Sequence, residues 1–360
     1  MQRKYCFFFL MATMVILSAC TKDNDDIATP PPPSGGAEIK LNGGLGGSAA
    51  QNSVFVDLST GTQDSVKRDS WDLGFYNGSD FRVILNYTLP NAMIAAVNKT
   101  DLSAVSAADT AGMVLESTFS PTDLKKVDAI DGDLTGTAIA AISGTETDNK
   151  VYILNRGALA AHTENSRGWI KLRIVRKGNG YLLQYAGIAD TDFKTIEISK
   201  EEDHQFSFVS LGDKDLNGAG PVTVEPPKAQ WDFVWTLAAY KTSYQGTDIY
   251  YPFSDLVLIN NRDGVEAAEV MSSTVSYEDF AEADIAGITF SNARDAIGDS
   301  WRATSGGNGQ EPGVFTDRFY VIKDPQGNIY KLRFIDFTEE DGGRRGYPDI
   351  AYQLVLKGEG

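Results

Sequence analysis

Trp231-Asp232-Phe233-Val234-Trp235, then Asp255-Leu256-Val257-Leu258-Ile259-Asn260, then Phe319-Tyr320-Val321-Ile322-Lys323-Asp324, closing on Ile329-Tyr330-Lys331-Leu332-Arg333-Phe334, decides the fold, because an earlier part of the chain repeats it. Trp71-Asp72 precedes Trp231-Asp232 by 160 positions, and Lys171-Leu172-Arg173 precedes Lys331-Leu332-Arg333 by the same interval. Ile84-Leu85-Asn86 answers Leu258-Ile259-Asn260, and Val151-Tyr152-Ile153-Leu154 answers Phe319-Tyr320-Val321-Ile322. Met93, Val97 and Asp101 keep the spacing of Met271, Val275 and Asp279. Self-similarity at a fixed offset is the mark of a duplicated unit.

Between these fixed points the chain is punctuated like a β protein. Val54–Leu58, Phe81–Leu85, Trp169–Ile174 and Tyr181–Tyr185 are short runs of Val, Ile, Tyr, Phe and Leu separated by Gly, Asn and Asp turns. Lys177-Gly178-Asn179-Gly180 and Asp324-Pro325-Gln326-Gly327-Asn328 have the composition of hairpin loops. Alternation along Lys331–Phe337 sends Leu332, Phe334 and, across a bulge, Phe337 to the core. Helical pattern is confined to Thr122–Ile130, capped by Ser120 or Thr122, and Tyr277–Asp284, beginning near Ser276. The expected fold is all-β: two similar antiparallel domains with a few short helices, over 37–204 and 205–360, with the junction near Glu201–Gln205.

The first residues set the compartment. Arg3 and Lys4 precede an apolar run, Phe7–Leu17, too short to span a bilayer comfortably, and Leu17-Ser18-Ala19-Cys20 resembles a lipoprotein cleavage box. Residues 1–19 are read as a signal peptide and Cys20 as the lipidated first residue, anchoring the protein to the outer membrane. Cys6 leaves with the signal, so no thiol remains for a disulfide or a metal. Residues 20–36 are a tether, acidic at Asp23, Asp25 and Asp26 and stiff at Pro30–Pro33, whose acidic start resembles a surface-export signal. Losing Arg3 and Lys4 takes the formal charge from −17 to −19. Such acidity excludes nucleic acid and docking on anionic lipid, and leaves the lipid anchor as the membrane contact.

The Trp-Asp strand, the strand ending in Asn, the turn after it and the final hairpin, in that order behind a lipoprotein start, resemble the HmuY family of haem-binding surface lipoproteins. The likeness is closer over about 205–356 than over about 54–198. The resemblance implies capture of haem, free or from a haem-carrying protein, for uptake by an outer-membrane transporter, with iron held between paired histidines or methionines from loops. Histidine is scarce: His162 lies in a loop between Leu154 and Trp169, and His204 at the expected junction. Ser300–Gly309, ahead of the final hairpin, has the place of a ligand loop but small residues where a donor would stand. Met93 and Met271, at equivalent spacings, then become the candidate axial donors. Met113 follows, with Tyr250 and Tyr251 as oxygen donors or stacking walls. For a methionine the alternative is a core gap-filler.

Catalytic signatures are missing from the sequence. There is no phosphate loop, His-Glu-x-x-His or Gly-x-Ser-x-Gly, and Asp213–Gly218 begins like a calcium loop but ends in Val224 where a bidentate Glu is needed. Two expectations follow: a haem-capturing lipoprotein that catalyses nothing, or a surface interaction or structural protein using the same scaffold for a protein, glycan or other hydrophobic ligand.

Overall fold

The computed structural model describes residues 33–160, 166–304, 312–338 and 344–359. The first nine strands are β1 (Gly36–Lys40), β2 (Asn52–Asp57), β3 (Thr62–Lys67), β4 (Leu73–Tyr76), β5 (Val83–Leu85), β6 (Ala92–Val97), β7 (Val151–Arg156), β8 (Trp169–Lys177) and β9 (Gly180–Gly187). Then come β10 (Lys194–Ile198), β11 (Phe206–Ser210), β12 (Gly220–Val222), β13 (Phe233–Tyr244), β14 (Thr247–Ile259) and β15 (Glu266–Met271). The short pair β16 (Arg302–Ala303) and β17 (Gly313–Val314) precedes β18 (Arg318–Lys323), β19 (Ile329–Thr338) and β20 (Arg345–Leu356).

Four sheets carry the fold, in the orders β1-β20-β19-β18-β15, β14-β13-β2-β3, β12-β11-β4-β5 and β10-β9-β8-β7-β6. They stack in that sequence as four layers, because inner strands bury both faces and so read as unbroken apolar runs. Val54, Val56, Phe233 and Trp235 meet Tyr320, Leu332 and Ile350 on one side. Their neighbours Phe55 and Val234 turn the other way and meet Phe206, Phe208 and Trp71. Beyond that middle layer, Leu73, Phe75 and Val209 pack on Leu154, Leu172 and Leu183. Leu332, Phe334 and Phe337 are buried as the alternation requires, and the register of β19 against β20 slips between Phe334 and Asp336.

The sheets do not divide at the expected junction. β2 pairs with β13 and β1 with β20, whereas β11 pairs with β4 and β10 with β9. Each of the two runs of nine strands, β1–β9 and β10–β15 with β18–β20, therefore sends its first two strands beside strands of the other run, and its third follows on the edge of the second. The hydrogen bonds around each Trp-Asp strand match. Asp72 N–H donates to Val209 O and Asp232 N–H to Val56 O, at 2.8 and 2.7 Å. Asn86 Nδ2 donates to Trp71 O at 2.8 Å, and Asn260 Nδ2 to Trp231 O at 3.0 Å. Two buried lysines also correspond: Lys171 Nζ donates to Val105 O and Asp190 O, and Lys331 Nζ to Tyr277 O and Phe280 O, tying down the loops that cross each outer sheet.

Two expectations are corrected. The helical stretches are short 3-10 turns, Pro121–Lys125 and Glu282–Gly287; Ser120 caps the former as expected. Single turns suffice there because each only bridges strands, and helix nucleation is costly without length. The second correction concerns β13 and β14, twelve and thirteen residues long where β4 and β5 have four and three. Past a bulge between Thr236 and Ala238 this hairpin reaches the other half, where Ala239 N–H donates to Tyr87 O at 2.6 Å.

Candidate functional site

The expected ligand residues scatter. Met93 is fully buried in β6, packed with Leu102, Val105 and Leu115. Tyr250, brought there by the long hairpin, joins the same cluster and accepts a hydrogen bond from Asn91 N–H at 3.1 Å. Burial pushes its phenol up to about 12, so it stays protonated and is a poor oxygen donor. Met113 is half-buried against this cluster. Tyr251, one residue on, points to the opposite face, is 42% exposed and leans edge-on to Phe253. Met271 stands apart at the end of β15, opposite Arg318.

Met93 and Met271 are not equivalent. Tyr152 pairs with Leu172 as Tyr320 pairs with Leu332, which fixes the correspondence of β7 with β18. Across the next ladder Val151 faces Val97 and Phe319 faces Val270, so Met93 falls in register with Glu266. The matching Met-Val-Asp spacing is a coincidence of two unequal connections. His204 Nδ1 lies 2.9 Å from Asp203 Oδ1 and 3.5 Å from Glu201 on an exposed turn. Asp213 accepts the Asp215 and Asn217 amides, a polar turn. His162, Cys20, residues 20–32 of the tether, and Ser305–Gly309 of the loop after Ser300 lie outside the described residues. Trp301 at the start of that loop is core, stacked on Phe334 at 4.1 Å.

What the fold does bring together is the two Trp-Asp strands. Trp71 and Trp231, 2% and 9% exposed, both enter the middle layer. Between them lies a partly open cavity with about 80 Å³ of free space, walled also by Phe55, Phe206, Phe208 and Leu134. The Trp231 indole N–H in this wall is buried without a hydrogen-bond partner. Five carboxyl and guanidinium groups line the cavity, Arg262, Arg294, Asp128, Asp133 and Glu225. Arg294 sits 4.2 Å from the centre of the Tyr87 ring, and Arg262 donates to Gly132 O. Asp128 accepts the Leu85 and Ala138 amides at 2.7 and 2.9 Å, and Glu225 accepts Phe206 N–H at 2.9 Å. Burial pushes Asp128 up to about 6 and Glu225 up to about 8, against the pull of their amide donors and the arginines. At neutral pH Glu225 holds its proton, and the pocket offers two guanidiniums, one neutral acid and the carboxylates of Asp128 and Asp133 around aromatic walls.

This site is not visible in the motifs. Arg262 follows Asn260 by two residues and would have been found by asking what the Asn-ended strand delivers next; Asp128, Glu225 and Arg294 come from irregular segments with no periodic signal.

The model of the HmuY protein family matches residues 49–352 in one span, across the expected junction. The chain belongs to the HmuY family. Two solved structures are similar over most of this HmuY-family chain. Apo PinO from Porphyromonas gingivitis is 9% identical, covering 90% of this chain and 99% of its own, with a TM-score of 0.23. The apo HmuY analog of Tannerella forsythia is 12% identical, covering 89% and 98%, with a TM-score of 0.22. No curated protein sequence matches. No described helix is long and apolar enough to cross a membrane.

Proposed function

We propose that this HmuY-family chain is a lipoprotein anchored through Cys20 at the outer-membrane surface, that it binds haem reversibly for uptake, and that it catalyses nothing. The supporting observation is the cavity in the middle layer, where two tryptophans supply flat apolar wall and Arg262 and Arg294 supply partners for acidic groups on the ligand's edge. Haem is a flat apolar ring with two carboxylates, which is the chemistry this lining complements. The buried or separated methionines make this cavity a better seat than Met93 or Met271.

Size sets a condition on that reading. An apolar cavity of roughly 150 Å³ accepts one benzene, so about 80 Å³ does not admit a porphyrin until the layers part. The long β13–β14 hairpin, bound to the other half through its backbone and Tyr250, is the element whose release would open it. The same small volume favours a second reading, a surface interaction protein whose cavity takes a smaller hydrophobic molecule.

Haemin titration of the full chain in detergent separates the two. A saturable Soret shift weakened about tenfold or more by Arg294→Ala, and unchanged by Met113→Ala, supports haem in the cavity. A shift abolished by Met113→Ala instead puts the iron on the methionine cluster. No saturable shift under oxidising or reducing conditions rejects haem and leaves the interaction protein.

A further inference from the structure

The cavity between the two Trp-Asp strands balances its charges in one protonation state. Arg262 and Arg294 come from different segments and meet at Gly132: Arg262 donates to its carbonyl, and a Cβ on that residue would stand 2.9 Å from Arg294 Cδ. Arg262 also lies 6.0 Å from the centre of the Phe206 ring, and Phe206 N–H donates to Glu225 at 2.9 Å, so one guanidinium and the Glu225 carboxyl are anchored on a single residue. Trp231 adds an indole N–H with no partner. Opposing these donors are Asp128, held by the Leu85 and Ala138 amides, and Asp133, which accepts Thr135 N–H at 2.8 Å. With Glu225 neutral, two guanidiniums face two carboxylates.

Glu225 is 6% exposed and stands in a partition. Together with Phe206, Phe208 and Val224 it lines both this cavity and a second, more open cleft of about 210 Å³, whose other titratable groups are Glu201 and His204. A proton therefore reaches Glu225 from the outer cleft without crossing the cavity. On the cavity side the groups that act on it are Arg262, Arg294 and the Tyr87 phenol, with Asp128 and Asp133 lining the same space. Burial pushes the Glu225 carboxyl up to about 8 even though both guanidiniums draw it down. A ligand carboxylate that occupies those guanidiniums removes their pull and adds a like charge, and both changes tighten the hold of Glu225 on its proton.

We propose that the cavity takes up an anionic ligand and a proton together, with Glu225 as the residue that keeps the proton and so sets the preference of the site for acids. This linkage rests on the reading of the cavity as the seat of a ligand that carries carboxylates. In the free protein above about pH 8 the Glu225 carboxylate competes for Arg262 and Arg294; below it, the proton leaves both guanidiniums to the ligand. Because the bound form holds the proton more tightly, affinity is full below about pH 8 and falls above it, by up to about tenfold per pH unit. The other cavity groups keep their charge between pH 7 and pH 9. Asp128, raised only to about 6, and Asp133, held below the usual carboxylate range by its Thr135 hydrogen bonds, are ionised. Burial pushes the Tyr87 phenol up, so it keeps its proton, and the guanidiniums stay charged.

The test is haemin titration of the full chain in detergent at pH 7 and pH 9. The wild type should bind at least about fivefold more weakly at pH 9, and calorimetry at pH 9 in two buffers of different ionisation enthalpy should show a proton taken up with haemin. Haemin dimethyl ester, which has no carboxylates, should bind with nearly the same affinity at both pH values. Glu225→Gln keeps an acceptor for Phe206 N–H and cannot ionise, so it should bind haemin with nearly one affinity at both and take up no proton. A wild-type affinity that does not fall, an equal fall in Glu225→Gln, or an ester as pH-sensitive as haemin overturns the linkage while leaving haem in the cavity. No saturable Soret shift at either pH rejects the haem reading itself, and the linkage with it.

Discussion

Asp72 and Asp232 occupy the same place on two strands that share their backbone contacts, yet one is locked between two arginines and the other is crowded by two acids. The difference shows that the backbone frame and the charge it carries are separable. The frame is held by an aspartate accepting an amide from the neighbouring strand and an asparagine gripping the tryptophan carbonyl, both present twice. The charge is balanced from outside the frame, by residues that differ. In the first case the long reach of arginine does it; in the second, burial keeps a proton on Asp232.

That contrast breaks most readily at Arg156. Arg156→Met removes one guanidinium from a buried pair and leaves Asp72 with Arg167 alone, and should cost about 3 kcal/mol in urea unfolding. A loss below about 1 kcal/mol would mean that Arg167 suffices. The lysines sharpen the comparison by testing where the two halves agree. Lys171→Met and Lys331→Met each take a charged donor from buried loop carbonyls, and each should cost about 2 kcal/mol. Very unequal losses would show that only one outer sheet relies on its lysine.

A pH effect also separates the two aspartates. Asp232, at about 8 folded and about 3.9 unfolded, binds its proton more tightly in the folded state. Its stabilising contribution is therefore complete below about pH 4 and drains away as pH rises to about 8, by up to about 1.4 kcal/mol per pH unit. Asp232→Asn should reduce the decline in stability between pH 5 and pH 8 by about half, leaving the comparable slope of Glu225 and the smaller one of Asp128, which are raised in the same sense. Asp72→Asn should instead destabilise at every pH, since it strands Arg156 and Arg167. The same slope in wild type and Asp232→Asn would remove Asp232 as its source.

Much of the frame was legible because it is written in local pattern. The alternation of Leu332, Phe334 and Phe337, the turns at Gly178-Asn179 and Gly327-Asn328, and the Trp-Asp and Asn words all follow from chemistry within a few residues. The strand exchange was not. Val54–Leu58 reads as a strand in sequence, but nothing within it says that Val56 will face Phe233 rather than Leu73, because both partners present equivalent edges. The site was less legible still. Methionine spacing pointed to Met93 and Met271, yet equal spacing on connections of different length puts one in the core and the other at a strand end. The cavity is made by bringing Trp71 and Trp231 together from 160 positions apart, which no local signal encodes.

The most direct measurement is a structure of the full chain saturated with haemin. The expected result is a porphyrin in the middle layer, its faces against Trp71 and Trp231, its carboxylates near Arg262 and Arg294, and the β13–β14 hairpin displaced. Porphyrin bound among Met93, Met113 and Tyr250, or a protein that takes up none, would contradict haem capture by this cavity.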